Sequence, residues 1–177
     1  MTKVQKWQEL SREIAFQKYS RKVEKVMFKL PGGKETDFYV KRESPAVAVL
    51  ALTKDNKIIL VKQYRPGPKE ILFELPGGFI DPSESPEEAI KRELLEETGY
   101  KGEIKFVTAC LDDAYSTMNR YCFVATGCKK VSEPRITKDE IVELKLLSLK
   151  DFRKLLQSGK MTDVEVGYLG LDFLKLL

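Results

Sequence analysis

Residues 78–100 constrain this chain more than any other stretch. Gly78, Glu84, Arg92, Glu93, Glu96, Glu97 and Gly99 stand in one gapless frame, G-x5-E-x7-R-E-x2-E-E-x-G, closed by Tyr100. The middle of that frame is a helix with both ends written into the sequence. Ser85 is the N-cap, Pro86 takes the first helical position, and Glu88 closes a capping box. Acidic residues in that first turn also suit the positive end of the helix dipole. Gly99 supplies the left-handed residue that ends the helix after Thr98. At about 100° per residue, Glu93, Glu96 and Glu97 fall within an arc of roughly 100°, beside the apolar edge of Ala89, Ile90 and Leu94. The acids therefore border the buried face instead of pointing straight into solvent.

Carboxylates gathered in this way repel one another and raise each other's pKa values. A hard divalent cation removes that penalty, because Mg²⁺ takes oxygen ligands and commonly shares them with substrate phosphates. A solvated acidic helix laced by an Arg92–Glu96 pair would account for those two residues. It would not account for the glycine-anchored frame around them. The chain has no histidine. That excludes the usual Ser-His and Cys-His nucleophilic machinery and the commonest zinc ligands, leaving oxygen ligands and a carboxylate base.

A chain of 177 residues suits one substantial core and is short for two ordinary domains. No apolar run reaches the roughly 18 residues that a membrane span needs. The first seven residues lack the apolar core of a signal peptide, which points to a cytoplasmic protein without a membrane partner. Cys110, Cys122 and Cys128 lack C-x-x-C spacing and read as reduced, buried thiols. The overall charge of +4 conceals a split. Residues 81–97 hold seven acids against two bases, a local −5, so the remainder carries +9. Such a balance suits an anionic phosphate ligand held between a metal and basic side chains. No basic run is interleaved with aromatics as a nucleic-acid surface requires.

Elsewhere the pattern predicts strands and two or three helices without a linker. A hairpin over 23–30 and 37–41 turns at Pro31-Gly32-Gly33. Strands follow over 45–53, 57–65 and 71–75, the last running into a turn at Pro76-Gly77-Gly78. Further strands are expected at 103–110, 120–125 and 141–147. Ser148 caps a helix closing near Gly159, and a final helix is expected over 168–177. The repeated Pro-Gly-Gly is instructive, since only the second copy leads into the acidic helix. There the glycines allow close backbone approach to a ligand, and the Gly77 carbonyl becomes a candidate metal ligand.

The frame at 78–100 resembles the Nudix box. Val61-Lys62-Gln63-Tyr64-Arg65, Phe73-Glu74-Leu75-Pro76-Gly77-Gly78 and residues 92–100 together resemble the ADP-ribose pyrophosphatase branch of the Nudix hydrolases. The resemblance implies an α/β fold with a mixed sheet, an α/β/α sandwich. Residues 1–44 would form an N-terminal antiparallel strand region serving a homodimer, and 45–177 the hydrolase domain. The implied activity is Mg²⁺- or Mn²⁺-dependent hydrolysis of a nucleoside diphosphate linked to another moiety, first of all ADP-ribose to AMP and ribose 5-phosphate. Other nucleoside diphosphate sugars, dinucleoside polyphosphates and a non-catalytic nucleotide-sensing role are the alternatives.

Carried onto this chain, the resemblance makes Glu93 and Glu97 the firmest metal ligands. Glu96 becomes a third ligand, or a bridge to a second ion. Arg92 orients a glutamate, while Glu84 helps with metal or water or braces the loop. Arg65 and Glu74 belong to the substrate pocket; otherwise they are a strand-end arginine and an outward-facing strand glutamate. The base is a carboxylate on the loop before the last strand, Glu140 first and Asp139 second. One departure concerns substrate choice. ADP-ribose hydrolases usually carry a proline about sixteen residues beyond the last box glycine, and residues 112–119 have none. Tyr115, in that segment, either stacks on a base or ribose or covers the core.

Overall fold

The computed structural model describes residues 3–135 and 141–177. They form two compact units, Met1–Pro45 with Leu111–Asn119, and Ala46–Cys110 with Arg120–Leu177. The first unit is built on an antiparallel sheet of β1 (Gln8–Lys18), β2 (Arg21–Lys29) and β3 (Glu35–Lys41). The expected hairpin is β2–β3, closed at Gly33, whose φ is +84°. Strand β1 has no counterpart in the pattern reading. Its pairing with β2 shifts register between Glu9 and Ser11 and again between Ile14 and Phe16. Each irregularity breaks the period-two alternation by which a strand is recognised. Tyr115 belongs to this unit and stacks on Phe38, with ring centroids 6.3 Å apart.

The second unit is a mixed seven-stranded sheet between helices. Its strands are β4 (Ala46–Thr53), β5 (Ile58–Arg65), β6 (Glu70–Glu74), β7 (Gly77–Phe79), β8 (Tyr100–Leu111), β9 (Asn119–Lys130) and β10 (Glu143–Leu147). The main path runs β10-β5-β4-β9-β8, with β6 on β5 and β7 on β4. Among the described strand pairs of this sheet, β4–β9 is parallel, while β10–β5, β4–β5, β4–β7 and β5–β6 are antiparallel. Strand β4 is buried along its whole length, and its alternation divides the core. Ala48, Leu50 and Leu52 pack with Phe152, Leu156, Val166 and Leu171. Those partners lie on α2 (Leu149–Ser158) and α3 (Val164–Phe173). Val47, Val49 and Ala51 pack on the other side with Ala89, Ile90 and Leu94 of α1 (Pro86–Thr98). The α/β/α sandwich follows from that division.

Two elements depart from the expected pattern. The last helix starts at Val164 and ends at Phe173, not 168–177. Its N-cap Asp163 has φ +56° and gives no side-chain cap, and Gly167 and Gly170 interrupt its apolar face. Those glycines let the helix approach closely. A Cβ on Gly167 would lie 2.5 Å from Leu156 Cδ2, and one on Gly170 2.8 Å from Leu50 Cβ. Of the expected turn Pro76-Gly77-Gly78, the two glycines instead belong to strand β7, which pairs with Ala46–Ala48. A Cβ on Gly77 would stand 2.2 Å from the Val47 carbonyl oxygen, so glycine here permits tight strand pairing.

These short strands create the space for a site. Strands β4 and β5 pair only through Ala51–Ile59 and Leu52–Ile58. Beyond that point β7 takes β4 at Ala46–Ala48, and β6 takes β5 at Val61–Arg65. The sheet is forked there, and α1 follows directly from the chain that fills the fork.

Candidate active site

A cavity of about 600 Å³ opens where the fork meets α1. Gln63 and Arg65 reach it from β5, Gly77, Gly78 and Phe79 from β7, and Arg92, Glu93, Glu96 and Glu97 from α1. Asp81, Pro134, Arg135 and Val142 complete the lining. The helix is fixed as its sequence demands. Ser85 and Glu88 form the reciprocal capping box, and Gly99 closes the helix with φ +74°. A Cβ on Gly99 would also meet the Ser132 carbonyl oxygen at 2.0 Å, so the position is glycine for two independent reasons.

Arg92 is the hub of the acidic wall. Its Nε and Nη2 donate to the two oxygens of Glu84 at 2.7 and 2.9 Å, and its Nη1 donates to Glu93 at 2.8 Å. Nη2 also reaches the Phe79 carbonyl oxygen at 3.2 Å, and Nη1 lies 3.5 Å from Glu96. Bidentate pairing of this kind fixes a carboxylate in direction as well as distance. The hydrogen bond from Arg92 holds the Glu84 carboxyl below its ordinary value. Glu84, chiefly, and then Glu93 hold Arg92 more firmly protonated than a free guanidinium. Glu84 thus braces the segment between β7 and α1.

The other acids are held individually. Glu97 accepts from the Gly77 N–H at 3.0 Å. Glu96 accepts from Arg135 Nη1 at 3.1 Å, while its carbonyl receives the Arg135 N–H at 2.7 Å. Glu93 lies against Gly78, where an added Cβ would stand 2.4 Å from its Oε1. Across the cavity Arg65 donates to Glu74 twice, at 2.6 and 2.5 Å, and Gln63 donates to the same carboxylate at 3.0 Å. The Glu74 side chain is 5% exposed and that of Arg65 46%. Glu74 is therefore the buried anchor and Arg65 the face offered to the cavity. The Glu74 hydrogen bonds raise the Arg65 pKa against the opposing effect of burial.

A family model for the NUDIX domain matches residues 42–165. The chain belongs to the NUDIX family. It is 33% identical over 150 residues to an ADP-ribose pyrophosphatase of Bacillus subtilis, covering 83% of this chain and 80% of that protein. It is also 33% identical over 153 residues to a methanol dehydrogenase activator of Bacillus methanolicus, covering 81% of each. A solved structure described as an ADP compounds hydrolase superposes with a TM-score of 0.81 over the whole of both chains, at 21% identity. That likeness carries the fold. Together with the family match and the intact acidic frame, the relatives place this Nudix protein among the pyrophosphohydrolases.

Nudix enzymes generally depend on a divalent cation. Among the described residues no three acidic or cysteine side chains converge as a ready-made set of ligands. The donors nevertheless suit a hard cation: they are carboxylate oxygens, two of them one helical turn apart on Glu93 and Glu97. The glycine at 78 leaves room for the Glu93 carboxylate.

The Nudix box and Arg65 are brought to one cavity, with Glu74 behind Arg65. Tyr115 stacks within the N-terminal unit. Asp139 and Glu140 lie outside the described residues. Among the described lining, Gln63, Phe79, Asp81 and Arg135 were not singled out by the pattern. Arg135 carries no spacing signal, and only the excess of positive charge outside the box pointed to further cations there. Gln63 could have been found, since it shares a strand face with Arg65 at a spacing of two residues. No described helix is long and apolar enough to cross a membrane.

Proposed function

We propose that this Nudix enzyme hydrolyses the diphosphate of ADP-ribose, giving AMP and ribose 5-phosphate. One observation carries the reading: a cavity with Glu93, Glu96 and Glu97 on one wall and the guanidiniums of Arg65, Arg92 and Arg135 around it. The ADP-ribose and ADP-sugar pyrophosphatases among its relatives support the substrate class. Glu93 and Glu97 would hold Mg²⁺ or Mn²⁺, with Glu96 and the Gly77 carbonyl completing the oxygen ligands. When bound, the cation neutralises diphosphate oxygens and lowers the pKa of a water.

The chain's own residues supply the rest. Arg92 keeps Glu93 in place, so that the carboxylate does not have to be ordered during the reaction. Arg65, stiffened by Glu74, presents a planar fork to an anionic or ribose oxygen of the substrate. Glu140, or Asp139, takes the proton from the attacking water. Support for that assignment comes from Pro134, Arg135 and Val142, which line the cavity on both sides of the segment in sequence. The N-terminal sheet is assigned to a homodimer, because β1 is exposed along all eleven residues and displays Leu10, Ile14 and Phe16.

The test is product release from a panel of ADP-ribose, other nucleoside diphosphate sugars and dinucleoside polyphosphates with Mg²⁺ or Mn²⁺. ADP-ribose should give AMP fastest, and Glu97→Gln should slow release by at least about 100-fold. The Gln carbonyl can still accept from Gly77 N–H, so the variant should fold. Preference for another compound overturns the substrate alone. No cleavage of any compound, together with an inert Glu97→Gln, overturns hydrolysis in favour of a binding role. The relative named as an enzyme activator makes that second reading concrete.

A further inference from the structure

Outside the acidic site, a pair of thiols stands ready for chemistry that hydrolysis does not use. Cys110 on β8 and Cys122 on β9 place their sulfur atoms 3.5 Å apart. The two strands are neighbours in the sheet. Adjacent strands lie about 4.8 Å apart, inside the Cα separation of roughly 4.4–6.8 Å that a disulfide spans. Closing the pair to a bond of about 2.05 Å needs side-chain rotation and little strand movement. The Arg120 carbonyl oxygen lies 3.7 Å from each sulfur, so both thiols turn toward the same point.

We propose that Cys110 and Cys122 are an oxidation site, converted by peroxide into an intramolecular disulfide. The two residues differ in the way such a pair requires. Cys110 is partly exposed and Cys122 is buried. Burial, and then the neighbouring Cys110, push the Cys122 thiol up to about 12, which leaves Cys110 as the sulfur that meets the oxidant. Its thiolate attacks one peroxide oxygen, the O–O bond breaks, and the departing hydroxide leaves as water after protonation. Cys110 is then a sulfenic acid. The Cys122 sulfur attacks the Cys110 sulfur, the S–O bond breaks, and hydroxide takes up the Cys122 proton as a second water. Two thiols have lost two electrons and two protons, and one peroxide has become two waters.

The location gives the bond a structural consequence. Cys110 is the last residue of the larger unit before the chain passes to the N-terminal unit, and Cys122 comes just after its return at Arg120. The disulfide would clasp the outgoing and returning strands. Cys128 serves as the internal control. It is buried, its sulfur packs beneath Gly102, and burial pushes its thiol up to about 11.

The full chain is exposed to hydrogen peroxide, quenched with an alkylating agent under denaturing conditions, and mapped by mass spectrometry. Two of its three cysteines should become unavailable to alkylation, with a linked Cys110–Cys122 peptide and a mass loss of about 2 Da, reversed by a dithiol. The oxidised protein should melt higher than the reduced one, because a short loop is closed. Cys122→Ser should send Cys110 onward to sulfinic acid while Cys128 stays reduced. The proposal is overturned if all three thiols stay alkylatable, if the wild-type Cys110 accumulates sulfinic acid beside a free Cys122, or if the linkage joins two chains. Wild-type mapping alone decides, should the variant fail to fold.

Discussion

The contact between Gly78 and Glu93 offers a way to disturb the chemistry without disturbing the fold. An alanine Cβ at position 78 would lie 2.4 Å from Glu93 Oε1, so the carboxylate must retreat by at least about 0.6 Å to reach even 3.0 Å. Glu93 can yield, because its carboxylate is the far end of a flexible side chain. Misplacing a reacting or ligating group by about 1 Å costs on the order of 100-fold in rate. A shift of this size should lower kcat/KM between about tenfold and 100-fold, or roughly 1.4–2.7 kcal/mol of transition-state stabilisation. The apparent affinity for the divalent cation should weaken as well. Gly78 does not have a positive φ, and replacing glycine by alanine at a compatible position stabilises by about 0.4–1 kcal/mol through the unfolded chain. The melting temperature should therefore hold. Gly77→Ala is the contrasting control. Its Cβ would meet Val47 O at 2.2 Å and Ala48 Cα at 2.8 Å, both main-chain atoms of the central strand. It should lose about 1–3 kcal/mol, lowering Tm by roughly 2–4 °C per kcal/mol for a chain of this size. Steady-state AMP release and thermal unfolding of the two variants provide the comparison. Wild-type turnover by Gly78→Ala, or an equal loss of Tm in both, would refute the claim that this glycine exists to seat Glu93.

Three further perturbations test the supports of the site. Arg65→Ala leaves Glu74 buried with Gln63 as its remaining described side-chain partner. Discounting the buried-pair cost for the half-exposed arginine, it should destabilise by about 1–2 kcal/mol in denaturant unfolding and raise KM more than it lowers kcat. Arg92→Met removes the cation that lowers the Glu84 pKa. A depressed carboxyl contributes stability above its unfolded value and loses it as pH falls through the folded one, so wild-type Tm should drop as pH falls below about 4.5. The variant should show a shallower drop over that window; an identical pH profile would sink the assignment of Glu84 as a brace. Gly170→Ala would put a Cβ 2.8 Å from both Cβ and Cδ2 of Leu50. It should lower stability by about 1–3 kcal/mol while turnover per folded molecule stays near wild type.

What could be read in the sequence was whatever a short segment specifies by itself. Helix α1 was legible to the residue because Ser85, Pro86, Glu88 and Gly99 act within a few positions of where they stand. Strand β4 was legible because a run buried on both faces has no polar alternation to confuse it. The reading failed where tertiary contact decides. Gly77 looks like a turn residue until β4 is seen to lie 2.2 Å from its missing Cβ. The last helix was expected over 168–177, which leaves out Gly167, and the reason it begins earlier lies in Leu156 and Leu50, which fill the spaces at Gly167 and Gly170. In the site, the box acids came with their own spacing, whereas Arg135 meets Glu96 from 39 positions away. The pairing of Arg65 with Glu74 was in reach, since both had been assigned to one pocket. Its bidentate form depends on the β5–β6 register, which aligns Arg65 with Glu70 and places Glu74 opposite Val61.

The two walls of the cavity have different mechanical standing, and this bears on how such a site keeps its chemistry while changing its substrate. The acidic wall belongs to a helix clamped at Ser85 and Gly99 and held to the sheet by Ala89, Ile90 and Leu94, all buried. A change at Arg92 is felt by three carboxylates, because it joins Glu84, Glu93 and Glu96. The rest of the lining comes from the end of β5 and from Pro134, Val142 and Arg135, the last hydrogen-bonded to Glu96. At the end of β5 the burial of Ile58–Val61 gives way to the half-buried Gln63 and the exposed Arg65. Exchanging Gln63 or Arg65 gives up hydrogen bonds to the buried Glu74 but leaves the packing of α1 on β4 untouched. On the proposed function, cleavage of the diphosphate would be tied to the helix and discrimination of the linked moiety to the side chains beyond it. Arg135→Ala discriminates between the two roles: it should change the ratio of kcat/KM between ADP-ribose and another nucleoside diphosphate sugar. A uniform loss on every compound would instead place Arg135 with the acids, as a support of Glu96.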